Sequence, residues 1–327
     1  MEKLDKKDWQ ILELLCKNAR LSHKQIGRKV KLSKNAVNYR IERLKKKGII
    51  SGFFTVIDFS FFDISFYELL ISVNGSQEEI EIFVEFLKKH PNVLVLDKLS
   101  GEWDFVLELG CKTVQDFFKF IKLMENRFST LIYNYEAHPI LKVYKIEQLP
   151  KTSKFLETPP TLKQETRKIE KKKIKIDHTD KKLLLELNKN SVAPLYELGE
   201  KLGVTYETVS SRIKKLKERG IILKFVPKIV LRSLGYDTFL IITDLRNLSQ
   251  EKEKKLESYI LVNKKIRYCF MSASKPQLFI YFAAKNSDEL DLFMADMKKS
   301  FSQEILHQRF LLSKEQYKYE LFTEALL

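Results

Sequence analysis

Apolar residues within the first fifty positions recur at helical spacing and predict three helices. Asp5 can cap the first helix, Ser22 opens a short second one, and Ser33 caps a longer third. Along the third helix, three apolar residues recur at i, i+4 and i+7 and predict one inward face: Val37, Ile41 and Leu44. Gly48 ends this helix, and the two isoleucines after it predict a β-hairpin. Two helices joined by a tight corner and followed by a hairpin are typical of a winged helix-turn-helix.

The pattern then alternates between strands and helices. Strands are predicted at 66–73 and on both sides of Gly101, helices are predicted at 76–90 and 113–128, and further strand material follows. This order, β-α-β-β-α-β, is that of the ferredoxin-like fold, an antiparallel sheet with helices on one face. We therefore predict an α+β body after the helical head.

The second half of the chain repeats the first. Residues 4–50 align without a gap on 176–222 at a constant offset of 172, and 16 of the 47 paired positions are identical. The chain is thus predicted to be an α+β protein with two winged helix-turn-helix domains and two ferredoxin-like domains in tandem. The predicted boundaries are 1–57 for the first head, 62–149 for the first body, 150–175 for a basic linker, 176–230 for the second head and 235–327 for the second, degenerate body.

Charge is unevenly spread along this plan. The chain has a net charge of +16, of which residues 1–50 carry +10, residues 51–149 carry −6 and residues 150–175 carry +6. Clustered positive charge favours a polyanionic partner, nucleic acid first and an anionic membrane surface second. The alternative is a lysine-rich surface that is only solvated.

Other features exclude several classes of protein. No apolar run approaches the ~18 residues needed to span a bilayer, and the first residues lack the apolar stretch of a signal peptide, so we expect a cytoplasmic chain without membrane contact. The three cysteines lie far apart, which indicates neither a disulfide framework nor a cysteine-based zinc site. The five histidines are scattered, and no phosphate-cradling glycine loop or nucleophile elbow is present. We therefore predict no metal, no cofactor and no enzymatic activity.

Two motifs carry a resemblance to a known family. The sequence VNYRIERLKKKGII at 37–50 recurs in the same pattern at 209–222, and SGEWDFVLEL lies at the centre of the first body. Together they resemble the leucine-responsive regulatory protein (Lrp/AsnC) family of archaeal and bacterial transcription regulators. The resemblance implies binding to double-stranded DNA and an amino-acid-like effector. Family members usually carry one head and one body and pair through the bodies, so the fusion implies an intramolecular pseudo-dimer and leaves further homo-oligomerisation open.

The outward face of the third helix supplies the DNA-binding candidates. A recognition helix needs an apolar side that docks on its own domain and polar donors that reach base edges near its N-terminus. The candidates of the first head are Ser33, Lys34, Asn35, Asn38, Tyr39, Arg40, Arg43, Lys45 and Lys46. Arg40 could equally bind an acidic partner inside the head. The lysines near the helix C-terminus could stabilise the helix dipole, contact phosphate, or do both.

The second head differs in chemistry at the same places. Its DNA-binding candidates are Thr205, Tyr206, Ser210, Ser211 and Arg212. Glu207 replaces Asn35, and a glutamate repels phosphate although it can accept a hydrogen bond from cytosine. We expect this head to bind DNA more weakly or to read another half-site. The alternative is that it serves as a scaffold or a protein-contact surface.

An effector site is predicted at the turn between the two middle strands of the first body. In the resembled family a Gly-x-x-Asp signature lies near the amino-acid effector, and Gly101, Trp103 and Asp104 fit it here. The second body carries KPQL at 275–278 in that region, so we expect one such site at most. The alternative is that Gly101 is only a turn residue and that Trp103 only packs against the strands.

Two other functions stay open at this point. Tandem fusions of the same plan also occur among siroheme decarboxylases, in which histidine and arginine hold a tetrapyrrole, but the strand signature of those enzymes is not found here. The other is a protein-interaction adaptor that uses its exposed sheets. The +10 charge of the first head favours a cytoplasmic, nucleoid-associated transcription regulator that binds specific DNA sequences.

Overall fold

A computed structural model describes residues 4–150, 176–246 and 248–327. The predicted basic linker lies outside these residues, apart from Pro150. The chain divides into two compact units, and each draws on both halves of the repeat. The head unit comprises Met1–Phe61 and Gln148–Leu234, and the body unit comprises Phe62–Glu147 and Gly235–Leu327. Among the described helices, none is both long and apolar enough to cross a bilayer.

The predicted order of elements occurs twice along the chain. The helices of the described residues are α1 (Lys6–Lys17), α2 (His23–Val30), α3 (Lys34–Lys46), α4 (Gln77–Lys89), α5 (Val114–Arg127), α6 (His178–Lys189), α7 (Leu195–Leu202), α8 (Tyr206–Glu218), α9 (Gln250–Val262) and α10 (Ser287–Ser300). The strands are β1 (Ile50–Ile57), β2 (Ser65–Val73), β3 (Val93–Ser100), β4 (Phe105–Cys111), β5 (Ile132–Ile146), β6 (Ile222–Ile229), β7 (Asp237–Leu245), β8 (Ile266–Ser272), β9 (Leu278–Ala284) and β10 (Ile305–Tyr319). The α+β class and the β-α-β-β-α-β order of each body are therefore confirmed.

The helices of the first head begin where their capping residues predict. The Asp5 carboxylate accepts from the Asp8 N–H at 2.9 Å, and the Ser33 hydroxyl accepts from the Ala36 N–H at 3.1 Å. Helix α2 opens with the predicted capping box. The inward face of α3 is apolar and buried: Val37, Ile41 and Leu44. Residues within one or two turns of each other thus determine where each helix starts and which side it buries.

The predicted hairpin after α3 was wrong. Strand β1 instead pairs antiparallel with β6 of the second head, with Phe54 opposite Val226. Because β1 leads through a short 3-10 turn into β2 of the body unit, no local strand follows to satisfy its backbone N–H and C=O groups. The equivalent strand of the second head supplies those partners. A two-stranded ribbon therefore joins the two heads inside the head unit.

Further hydrogen bonds connect the heads beside this ribbon. The Ala19 N–H donates to the Phe225 carbonyl at 2.8 Å, and the Ser191 N–H of the second head donates to the Phe53 carbonyl at 3.1 Å. The Arg20 guanidinium also donates to the Ser191 carbonyl at 2.7 Å. Because each head binds the strand of the other, the two heads form one packed structure.

The eight strands of the body unit close into one barrel, in the order β10-β3-β4-β2-β5-β8-β9-β7. Helices α4 and α5 pack on the outer face of the first half, and α9 and α10 pack on that of the second. We expected a separate sheet for each body, but the halves join edge to edge where β5 pairs with β8 and β10 pairs with β3. Both β5 and β10 have 15 residues, which is long enough to pair with their own half and with the other.

The ends of the two long strands pack into the opposite half. Tyr144 of β5 lies in the apolar core of the second half, and Tyr317 of β10 packs on the core of the first. The Lys145 ammonium donates to the Ile260 carbonyl near the end of α9 at 3.2 Å, and the Lys318 ammonium donates to the carbonyl of His90, which ends α4, at 3.0 Å. Cations are favourable at helix C-termini, so each half stabilises a helix of the other.

Candidate nucleic-acid interface and effector loop

A tight corner between α2 and α3 positions the candidate recognition helix. Lys31 has a left-handed φ of 55° at the end of α2, and a Cβ added to Gly27 would lie 2.5 Å from the Leu32 carbonyl oxygen. The second head has the same constraint, because a Cβ on Gly199 would lie 2.7 Å from the Val204 carbonyl oxygen. Glycine is therefore required at both positions, and both heads set the angle between the two helices in the same way.

The outward face of α3 is accessible along its first two turns. Four of the predicted DNA-binding residues are exposed there: Lys34, Asn35, Asn38 and Tyr39. Tyr39 is 66% exposed, whereas Ser33 accepts the capping bond described above. Helix α3 thus presents two amides, an ammonium and a phenol, all of which can bind base edges or phosphates.

Arg40 and Arg43 of the same helix bind acidic residues of α1 and its cap. Arg40 Nη1 donates to Asp5 Oδ2 at 2.7 Å and to Asp8 Oδ1 at 2.8 Å, and Arg43 Nη2 donates to Asp8 Oδ2 at 2.6 Å. The Asp8 side chain is fully buried and contacts both of these cations. Burial opposes the charge of Asp5, but the Asp8 N–H and Arg40 outweigh it and lower the pKa of Asp5. The structure therefore gives Arg40 its acidic partner, and contact of Arg40 or Arg43 with DNA stays a prediction.

Lys45 and Lys46 lie near the C-terminal end of α3, and both are exposed. The Lys45 ammonium is 2.8 Å from Glu42 Oε1 and 5.6 Å from the centre of the Phe53 ring. An exposed ion pair of this kind contributes little to stability, so Lys45 can exchange the carboxylate for a phosphate at small cost. Helix stabilisation and phosphate contact are both compatible with this geometry.

Helix α8 has in the second head the place that α3 has in the first. Thr205 caps it, and the Glu207 carboxylate lies on its exposed surface. The other exposed candidates are Tyr206, Ser210 and Ser211. Arg212 Nη1 donates to Asp177 Oδ2 and to Asp180 Oδ1, each at 2.7 Å, and these two bonds raise the pKa of Arg212. The arginine of each head is therefore held by an acidic pair, while the exposed surfaces differ.

Two exposed cations of α2 were not among the predicted site residues. Lys24 and Arg28 lie on the outward side of this helix. The pKa of the adjacent His23 is lowered by burial and then by the charge of Lys34. The repeat contains a signal that could have identified these cations, because the equivalent residues of the second head are not cationic: Tyr196 and Glu200.

The turn between β3 and β4 contains the three effector candidates. Gly101 has a φ of +139°, and a Cβ there would lie 2.6 Å from the Leu311 side chain, so only glycine fits. Trp103 is buried inside the barrel, and its indole N–H has no hydrogen-bond partner within the part of the chain that is described. Asp104 Oδ2 accepts from the Val73 N–H at 2.8 Å and so connects the turn to β2.

Gln277 makes the equivalent bond in the second half. Its Oε1 accepts from the Leu245 N–H at 2.9 Å, as Asp104 accepts from Val73. The second body lacks the aspartate, but Gln277 makes the same contact with the neighbouring strand. Gly101 and Trp103 also fit the structural alternative, and contact of these residues with an effector stays a prediction.

The described residues do not bring histidines together for metal chemistry. No three histidine, cysteine, aspartate or glutamate side chains among them are grouped as a metal ion requires. The most buried histidine, His138, is 2% exposed, and its ring nitrogens lie 3.0 Å from Ser274 Oγ and 3.2 Å from Glu136 Oε2. Its contacts are those of a side chain satisfied within the barrel.

Three family models match parts of the chain. A winged helix-turn-helix DNA-binding domain matches residues 4–51, and an AsnC-type helix-turn-helix domain matches residues 176–217. An Lrp/AsnC ligand binding domain matches residues 69–150.

The curated relatives match part of the chain, whereas one solved structure matches nearly all of it. The uncharacterized HTH-type transcriptional regulator PH0140 of Pyrococcus horikoshii is 32% identical over 121 residues, which cover 36% of this chain and 74% of that protein. The HTH-type transcriptional regulator FL11 of Pyrococcus abyssi is 28% identical over 122 residues, covering 37% of this chain and 80% of that protein. The crystal structure of the siroheme decarboxylase NirDL covers 98% of this chain and 96% of its own, with a TM-score of 0.62 and 14% identity. At that identity the likeness shows a shared fold alone.

Proposed function

The chain belongs to the Lrp/AsnC family of DNA-binding transcription regulators, and from this premise we propose that its first head supplies most of the contact with DNA. The observation that carries the proposal is the exposed face of α3, which holds Lys34, Asn35 and Asn38 on a segment of net charge +10. Amides make paired hydrogen bonds to adenine, and lysine binds guanine or phosphate. The same face therefore offers both sequence recognition and phosphate neutralisation.

The ribbon of β1 and β6 supports simultaneous use of both heads. Because it joins the heads within one unit, we expect α3 and α8 to keep a fixed separation, so that paired heads can meet successive major grooves ~34 Å apart. We expect the second head to bind its half-site more weakly, through Thr205, Tyr206, Ser210 and Ser211. An asymmetric operator then suits the chain better than a palindrome.

Fluorescence anisotropy on operator fragments, found by genome-wide crosslinking of the protein, tests the leading role of the first head. Replacing Asn35 and Asn38 by alanine should cost ~1–3 kcal/mol of discrimination for each base pair that they read. The control replaces Ser210 and Ser211 by alanine, two polar residues on the corresponding exposed face of α8, and should cost less. Equal losses from the two double variants would contradict the proposal.

The body unit supports a regulatory role for one small ligand. Its first half matches the family's ligand-binding domain, and we propose at most one amino-acid-like effector site, near Gly101, Trp103 and Asp104. Melting curves recorded with each amino acid test this, since a ligand that binds only the folded chain raises the melting temperature. Gly101→Ala should abolish any such increase, whereas an increase that survives would place the ligand elsewhere.

We propose that the chain acts without catalysis, as a pseudo-dimer at the nucleoid, where its DNA partner lies. The barrel already contains both bodies, so one chain supplies the pair of bodies that two chains would supply in a regulator with one head and one body. Sedimentation of the purified protein over a range of concentrations tests whether further copies associate.

A second candidate function is that of a siroheme decarboxylase. The observation in its favour is that the NirDL fold covers 98% of this chain. Siroheme added to the purified protein separates the candidates by absorbance. A stoichiometric shift of the tetrapyrrole bands would favour the enzyme, and an unchanged spectrum would favour the regulator.

A further inference from the structure

Two glutamates of the first half face the interior of the barrel. Glu68 of β2 lies directly opposite Glu108 of β4 in the antiparallel register. Both side chains lie on the same face of the sheet as Leu70 and Val106, which pack inside the barrel against the second half. Glu68 is 1% exposed, and Glu108 is partly buried. Like charges at directly opposed positions of a sheet repel each other, so this pair needs an explanation.

Two tyrosines of the second half bind these carboxyl groups. The Tyr281 hydroxyl donates to Glu68 Oε1, and the Tyr268 hydroxyl donates to Glu108 Oε2 at 3.1 Å. The tyrosines are themselves neighbours, since Tyr268 of β8 is paired with Tyr281 of β9. Each acid of the first half therefore has a phenol of the second half as its partner across the barrel.

No ion pair neutralises the two glutamates within the described ranges. The titratable neighbours of the pair are Asp97 on β3, His138 on β5 opposite Glu68, and Tyr319 on β10. Arg309 of β10 faces the same interior, but its ion pairs are with Glu102 and Glu136. Asp97 accepts from Ser313 Oγ at 3.2 Å and from Gln316 Nε2 at 3.1 Å. The pKa of His138 is lowered by its burial, so this ring supplies no positive charge at neutral pH. On β7, the residue equivalent to Glu68 is the apolar Leu240.

Burial of two acids without a cation favours their neutral forms. Burial, followed by the charge of Glu108, raises the pKa of Glu68 well above its ordinary value. Burial raises the pKa of Glu108 from 4.5 to about 7, against the opposing hydrogen bond from Tyr268. The sheet pairing, the tyrosine contacts and the absence, among the described residues, of an ion pair to either glutamate all favour retention of a proton by the pair.

We propose that Glu68 and Glu108 form a proton-binding site that stabilises the contact between the two halves of the barrel. A protonated carboxyl keeps its bond to the tyrosine of the other half without repelling its neighbour, whereas two carboxylates at directly opposed positions repel each other. The site depends on the fusion, because the second half carries Leu240 and Tyr281 at the positions of Glu68 and Glu108. The described residues therefore contain this site once, and the contact that it makes between the halves weakens as the pH rises.

The melting temperature of the full chain between pH 5 and 8 provides the first test. Glu108 has an ordinary pKa of 4.5 when unfolded and of about 7 when folded, so its contribution to stability is complete below pH 4.5 and is lost as the pH rises to about 7. The pKa of Glu68 is also raised by burial, so its contribution is lost in the same direction as the pH rises. From pH 5 to pH 8 the melting temperature of the wild type should therefore fall by roughly 5 °C more than that of Glu108→Gln.

The matched control is Glu251→Gln, which removes an exposed carboxylate from the first turn of α9. Its melting curve should follow the wild type at every pH. If the melting temperatures of Glu68→Gln and Glu108→Gln also change with pH as that of the wild type does, the proposal is overturned.

Infrared spectroscopy of the wild type gives a test that does not depend on the variants folding. A carbonyl band of a protonated carboxylic acid should be present at pH 6.5 and should disappear as the pH is raised, and Glu108→Gln should reduce it. Absence of the band at pH 6.5 would overturn the proposal. Neither measurement involves DNA, so the outcome is independent of the proposed function.

Discussion

The two heads of this chain share an interior and differ in surface chemistry. The glycine of the corner, the apolar face of the third helix and the arginine bound to an acidic pair recur in both. The exposed positions change together, and most lose positive charge: Lys24, Arg28, Lys34 and Asn35 become Tyr196, Glu200, Tyr206 and Glu207. Folding and recognition of DNA are thus carried by different residues, so one head can change its partner without losing its structure.

The largest expected difference between the heads concerns their buried acids. Asp8→Ala should lower the free energy of unfolding by ~3–5 kcal/mol, because it leaves Arg40 and Arg43 without their shared carboxylate. Asp180→Ala should cost less, since the Asp180 side chain is 11% exposed and Lys215 stands where the first head has Arg43. Urea denaturation of the full chain measures both. Equal costs would show that the second arginine adds nothing to the cluster.

Conversion of the second head should strengthen DNA binding by a smaller amount. Replacing Tyr206 by lysine and Glu207 by asparagine restores the residues of the first head, removes a negative charge and adds a phosphate contact. We expect the affinity for operator DNA to rise about tenfold, or ~1.4 kcal/mol. The control is the reverse exchange in the first head, Lys34→Tyr with Asn35→Glu, which should weaken binding. If the converted head leaves affinity unchanged, α8 does not lie against DNA.

The smallest expected effect is a change in salt dependence. Each phosphate contact contributes about 0.9 to the slope of log affinity against log salt, so Lys45→Ala and Lys46→Ala should each reduce the slope by up to that amount for all sequences. Lys217→Ala, at the position of Lys45 in the second head, is the matched comparison. A larger reduction from Lys217→Ala than from Lys45→Ala would reverse the assignment of the dominant head.

The local structure could be predicted because its causes lie within a few residues. The Asp5 and Ser33 caps and the apolar spacing of Val37 and Ile41 act inside one or two helical turns. The ribbon could not be predicted in this way, because β1 and β6 are more than 160 residues apart and nothing near Ile50 distinguishes a distant partner from a hairpin partner. The closure of the barrel by β5 and β10 was missed for the same reason.

The positions of the candidate site residues could also be predicted only in part. Helical periodicity correctly placed Asn35 and Asn38 on the outward face of α3. It could not decide between two partners for Arg40, because one side of a helix can meet either solvent or another helix. The bond from Asp104 to β2 depends on the fold of the turn, and Gln277 shows that a different side chain can make it.

The closed barrel and the ribbon both contain segments from the two halves of one polypeptide. Paired regulators built from separate chains fall apart on dilution, whereas covalent connection keeps the local concentration of the second partner high however few copies a cell contains. If a single copy binds, occupancy of an operator well below saturation should therefore rise in proportion to the abundance of the chain, without the threshold that assembly of two subunits imposes.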